Sequence, residues 1–343
     1  MPALKIDVLN YLSSRHSDLF KGWTEGGELP EASIEQHCDL VYSLYLTGSI
    51  SLISPHALEK FCDIAHKSRL PGLSGGVTPN QVSVHNFAYL LGAMNLLRSH
   101  FEDLYPRFLH GRDFVPGELI DEHTFSPKFP KRWSHHSWRV SHWLGGIPSI
   151  FLSLERSSPF ASQINGFTKR IRDSVDDLLD PKTGLIRAYK SELLQKLFRV
   201  GYSIRHDPEL GDLGGLAHIL WIDHATDRRY VALPQVRSAA SKLFLRHKPF
   251  MEAVPYCLDF DIIQALRTAS SQLGLSLEEE KLRASEMMAG IEEFYRKPTS
   301  GYSLHKVPGA IATYHECALF LGQTYVDSLD CTAVDIIKSA YWL

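Results

Sequence analysis

Six stretches of this chain, at about 36–48, 83–98, 138–154, 212–226, 256–270 and 311–325, are apolar nearly all the way round and rich in small residues. Between them lie amphipathic stretches at about 3–20, 55–68, 160–179, 189–201, 233–246 and 277–296, which carry the charge. The apolar period throughout is that of a helix, and strand-type alternation is nearly absent. A helix apolar on all sides must be buried, whereas a striped one covers a surface. The pattern therefore predicts an all-α chain in which buried and covering helices alternate, the buried ones recurring about 40–75 residues apart.

Glycines mark the buried set: Gly48, Gly92, Gly145, Gly146, Gly214, Gly215 and Gly322. Glycine inside a helix costs up to about 1 kcal/mol relative to alanine, and close packing of inner helices is a reason to keep it. Two of the buried stretches read almost alike. His85-Asn-Phe-Ala-Tyr-Leu-Leu-Gly92 and His315-Glu-Cys-Ala-Leu-Phe-Leu-Gly322 share His, Ala, Leu and Gly at the same places. The order of helices resembles an (α/α)6 toroid, in which six inner helices are ringed by six outer ones. That fold group includes six-hairpin glycosidases, polysaccharide lyases, sugar epimerases, terpenoid cyclases, prenyltransferase β-subunits and lanthionine cyclases. The resemblance implies one domain over residues 1–343 with a central cavity. Residues 101–137, rich in Pro, His, Phe and Trp, form the longest expected loop and a candidate lid.

Composition narrows the function classes. A formal charge of −3 with no Lys/Arg block argues against nucleic acid as a partner. The longest apolar runs are about a dozen residues, short of the about 20 that a membrane span needs. The start lacks the layout of a signal peptide, and five scattered cysteines do not form a disulfide framework. A cytoplasmic setting and a small-molecule or oligosaccharide substrate are expected. No phosphate loop, nucleophile elbow or zinc motif appears, so catalysis is expected to use side chains without cofactor or metal.

The candidate chemistry clusters at the expected starts of the inner helices. If those helices run parallel, their first turns open on one mouth, where backbone N–H groups favour anions. Asp259, Asp261, Glu316 and His315 are the expected catalytic groups, with Asp39 a further candidate carboxylate, since carboxylates in different environments divide into acid and base. His85, Asn86, Trp138, Arg139, His142, His218, Tyr256 and Tyr314 are expected to line the pocket. Trp rings suit stacking on a sugar, and Arg139 suits an anionic group such as a uronate carboxylate. The same pocket serves a glycoside hydrolase, or a lyase in which Tyr or His moves a proton. A second reading is a metal-dependent or cationic cyclase or transferase. Cys38, Cys257 and Cys317 could then hold zinc, or Asp176, Asp177 and Asp180 could act as a D-D-x-x-D diphosphate motif. A non-catalytic helical scaffold with a plugged centre is the third.

Overall fold

Helices form where the periodicity places them. The computed structural model describes residues 3–98, 100–128, 137–179, 197, 208–246, 256–298 and 302–343, the side chains of 137–139, 178, 208–212 and 256 excepted. In order, the first helices are α1 (Ala3–Arg15), α2 (Ser17–Thr24), α3 (Ile34–Leu46), α4 (Pro55–Lys67), α5 (Gln81–Leu97) and α6 (Leu104–Leu109). Then come α7 (Ser137–Leu144), α8 (Gly146–Ser157), α9 (Phe167–Val175), α10 (Pro208–Ala225), α11 (Leu233–Arg246) and α12 (Tyr256–Leu273). The chain continues with α13 (Glu278–Arg296), α14 (Lys306–Phe320) and α15 (Ile336–Ala340). Strand is limited, among the described residues, to a two-residue antiparallel pair, Tyr325–Val326 with Cys331–Thr332. Local chemistry sets several starts. Ser33 and Gln36 form a reciprocal capping box at α3, and Asn80 and Ser83 do the same at α5.

Burial separates two helix types. Every residue from Val307 to Ala318 of α14 is buried, as is every residue from Gly146 to Leu154 of α8. By contrast α4 buries only Ala57, Leu58, Phe61, Cys62 and Ala65, a single stripe. The buried helices contact one another in sequence: α3 with α5, α5 with α7 and α8, α7 with α10, α10 with α12, and α12 with α14. Helix α14 also contacts α3, so the series closes on itself. The striped helices lie against this series, α4 on α3, α9 on α8, α11 on α12, and α13 on α14. No described helix is long and apolar enough to cross a membrane.

The boundaries differ from expectation in three places. The stretch expected as one helix at 138–154 is two, α7 and α8, broken at Gly145 with Pro148 in the first turn of α8, where a missing N–H costs nothing. The last inner helix begins at Lys306 rather than near 311. The expected loop at 101–137 is anchored over its described part: α6 contacts α4 and α5, and Tyr105, Phe108, Phe114, Leu119 and Ile120 are buried. The expected helix at 189–201 lies outside the described residues, Leu197 apart.

Sequence periodicity gave no sign of the feature that completes the interior. Helix α15 contacts both α5 and α10 and leads into Trp342, which is fully buried. Its indole lies against His218, Trp221 and His85, with ring centroids 4.9, 5.2 and 5.9 Å away. The Tyr42 hydroxyl donates to the Trp342 carbonyl at 2.6 Å, and the Trp342 Nε1–H donates to His85 Nδ1 at 3.1 Å.

Candidate functional site

A cavity of about 330 Å³ is lined in part by His85, His218 and Trp221, the three rings that pack on Trp342. Helical spacing of three and four residues brings paired side chains to its wall. His85 and Tyr89 come from α5, His142 from α7, His218 and Trp221 from α10, and Cys257 and Phe260 from α12. Ser303, His305, Lys306, Pro308 and Gly309 arrive from the start of α14, and Leu343 also lines the space. Four imidazoles thus share one small, aromatic chamber whose lining, among the described residues, includes no Asp or Glu side chain.

The imidazoles differ electrostatically. Burial holds His85 well below the ordinary histidine range, and the charges of His142 and His305 push the same way. Its ring stacks on His142 at 5.0 Å and on Tyr89 at 5.7 Å. His218 is lowered to about 3, chiefly by burial, and its Nδ1 lies 2.6 Å from the Ser141 hydroxyl. His142 Nδ1 lies 3.2 Å from Gln81 Nε2. At neutral pH His85 and His218 are therefore neutral rings, each able to present one donor and one acceptor.

His305 goes the other way. Burial disfavours its charge, but the hydrogen bond and charge of Asp39, helped by Glu35, outweigh it and raise its pKa. Its Nδ1 lies 2.9 Å from Asp39 Oδ1 and 3.4 Å from Glu35 Oε1. Asp39 is buried at the second turn of α3 and also accepts the Tyr89 hydroxyl at 2.9 Å. Its other oxygen, Oδ2, is buried without a hydrogen-bond partner. With Nδ1 tied to a carboxylate, proton exchange at this ring falls to Nε2, the arrangement that suits a general base or acid.

Of the residues expected from the sequence, His85, His142 and His218 meet at this cavity. The side chains of Trp138, Arg139 and Tyr256 lie outside the described residues, and half-buried Asn86 is not on the lining. Tyr314 faces away, its hydroxyl held by Glu292 and by Ser328 at 2.6 Å. His315 is fully buried: its Nε2 lies 2.7 Å from the Leu46 carbonyl, and its Nδ1 accepts the Val334 N–H at 3.2 Å. Glu316 is fully buried against Arg267, whose Nη2 donates to Oε1 at 3.0 Å and to Asp335 at 2.8 Å. Asp259 and Asp261 are buried in α12 off the lining, and burial, then the charge of Asp259, pushes the Asp261 carboxyl well above the usual carboxylate range. Because α14 begins at Lys306, His315 and Glu316 sit in its third turn rather than its first.

Comparison of the chain with protein-family models, with curated proteins and with solved structures returns no match. The site therefore stands on its own geometry. That geometry also redistributes the remaining candidates. Cys38 and Cys317 are fully buried thiols pushed up by desolvation, so neither is a thiolate ready for zinc. Asp176 is bound by Arg172 at 2.7 Å and by Arg228 at 2.6 Å, which engages the first acid of the D-D-x-x-D run. Asp180 lies outside the described residues.

Sequence reasoning offered Asp39 as a candidate acid but not as the partner of His305, and it missed two groups of lining residues, Tyr89, Trp221 and Phe260, and Ser303, His305 and Lys306. A signal for the second group was present. Proline is favoured in a first helical turn, so Pro308 marks a helix start near 305 and puts His305 at its edge.

Proposed function

We propose that the closed series of buried helices is an (α/α)6 toroid, and that its cavity carries out acid/base catalysis on a small anionic sugar. The carrying observation is the Asp39–His305 pair at the wall of a chamber also lined by the neutral imidazoles of His85 and His218. Its volume, about 330 Å³, is at the small end of the about 300–1,000 Å³ usual for ligand sites. That size suits one or two sugar rings more than a long polymer. Lys306 supplies a positive charge, and Trp221, Tyr89 and Phe260 supply apolar faces for the C–H side of a pyranose.

Between hydrolysis and elimination the lining favours elimination. Glycoside hydrolysis ordinarily uses two carboxylates flanking the scissile bond, and the described lining residues include no Asp or Glu. In elimination from a uronate, His305 Nε2 takes the proton next to the sugar carboxylate. The electron pair forms the ring double bond, and the glycosidic oxygen leaves with a proton from a neighbouring donor. Lys306 and neutral His85 or His218 stabilise the charge that develops on the carboxylate. The roles expected of Asp259 and Glu316 pass to groups that reach the cavity.

A panel of uronate-containing and neutral oligosaccharides, read by mass spectrometry and by ultraviolet absorbance of the conjugated product, tests the reading. An unsaturated product, with turnover reduced about 10²–10⁴-fold in His305→Gln and Asp39→Asn, is expected. A product carrying added water, or full turnover in His305→Gln, overturns it.

A further inference from the structure

The geometry points to a divalent-cation site of the zinc class at the edge of the cavity, made by Glu35, His85 and His305. One ligand atom from each lies within 4.8 Å of the other two, and these three form the one such group among the described residues. The residues come from three different parts of the chain: the first turn of α3, the second turn of α5 and the start of α14. Two imidazoles and one carboxylate are a common protein share of an open, tetrahedral zinc centre, with the fourth position left to water or substrate. Ligand atoms about 2.0–2.1 Å from such an ion lie about 3.4 Å apart. Ligation through His85 Nε2 also moves the ring proton to Nδ1 and gives up the bond now accepted from the Trp342 Nε1–H.

One further observation points to a cation rather than to a chance cluster. His305 Nδ1 lies 2.9 Å from Asp39 and 3.4 Å from Glu35, which keeps the ring proton on Nδ1 and makes Nε2 the ligating atom. The second oxygen of Asp39 is buried without a partner beside this group. Buried carboxylate oxygens are normally satisfied, and an ion or ion-bound water is a standard reason for an exception. Asp39 then plays the outer role common at such centres, fixing the orientation of a ligating histidine. Cys257 lines the same cavity, but its thiol is raised by burial and lies outside the three-residue group.

The site does not depend on the substrate reading. If both hold, a bound cation turns His305 from proton carrier into ligand, so zinc inhibits the elimination instead of supporting it. Isothermal titration of the full chain, stripped with chelator, with zinc chloride provides the test, alongside elemental analysis after dialysis. One equivalent bound with micromolar or tighter affinity is expected, weakened at least 10-fold in Glu35→Gln. Glu35 is half-exposed, so that variant is expected to fold. His85→Asn and His305→Asn should each remove binding, while Cys257→Ser should keep it, with circular dichroism confirming fold in each. Absence of zinc binding at 100-micromolar-range concentration, or unaltered binding in Glu35→Gln together with His85→Asn, overturns the site. Zinc binding to a protein inactive on every uronate leaves the metal site standing and removes only the catalytic reading.

Discussion

Glu316 should prove to be a structural anion, and the structure gives the size of the effect. Its carboxylate is fully buried and paired with Arg267, a side chain 15% exposed that also reaches Asp335. Burial raises the Glu316 pKa even though Arg267 opposes the shift, so the carboxylate depends on that guanidinium for its charge. Removing one member of a buried pair costs about 3–5 kcal/mol, because the survivor is left uncompensated. Asp335 still holds Arg267 in Glu316→Ala, which places the loss near the lower end, about 3 kcal/mol. With an m-value of about 3 kcal/mol/M in urea, the unfolding midpoint falls by about 1 M. Tryptophan fluorescence follows the transition, since Trp221 and Trp342 are buried in the interior. The double variant Glu316→Leu with Arg267→Met should recover most of the loss, because apolar replacements of buried pairs are often neutral. A midpoint within about 0.3 M of the parent in Glu316→Ala, or a double variant worse than both singles, refutes the reasoning.

Three other expectations follow from packing and protonation. His315 has a folded pKa near 4 against 6.5 unfolded, so the unfolded chain binds the proton first; its contribution is complete above about pH 6.5 and is lost as pH falls toward 4. That amounts to about 3 kcal/mol, and denaturation curves from pH 7 to 4 should flatten in His315→Gln. In Gly92→Ala the new methyl would sit 1.9 Å from the Tyr42 hydroxyl, so the melting point falls despite alanine's better helix propensity, and Tyr42→Phe in the same chain should restore part of it. Trp342→Phe removes the donor to His85 and part of the packing on His218 and Trp221; a loss of about 1–3 kcal/mol in urea unfolding checks it.

Most of the helical order was legible because burial leaves a plain mark on composition. A helix surrounded by others, such as α14 or α8, needs apolar residues on every face, and six such stretches stood out. The matching octapeptides misled in detail. Gly92 sits mid-helix where Tyr42 crosses closely, whereas Gly322 stops α14 with φ at +77°, a backbone region that glycine enters freely. His85 accordingly faces the cavity, while His315 joins α3 to the segment before α15. One sequence pattern serves two different positions along a helix, so residue likeness could not reveal which histidine reaches the chamber. The role of Asp39, a candidate acid from its place in α3, was hidden for another reason: it is set by His305, 266 residues away, and no local period encodes such a pairing.

The placement of Trp342 has a kinetic consequence. The hydrogen bond from Tyr42 to its carbonyl spans 300 residues, and the α3–α14 contact closes a comparably long loop. Contacts so distant in sequence return their energy only after the intervening chain is already ordered, and long-range closure is slow for that reason. Neighbouring helix pairs can assemble early and hold substantial secondary structure while the rings that line the chamber still lack their packing on Trp342. The competent cavity is then the last part of the molecule to appear on refolding, and its arrival should lag behind the recovery of helix.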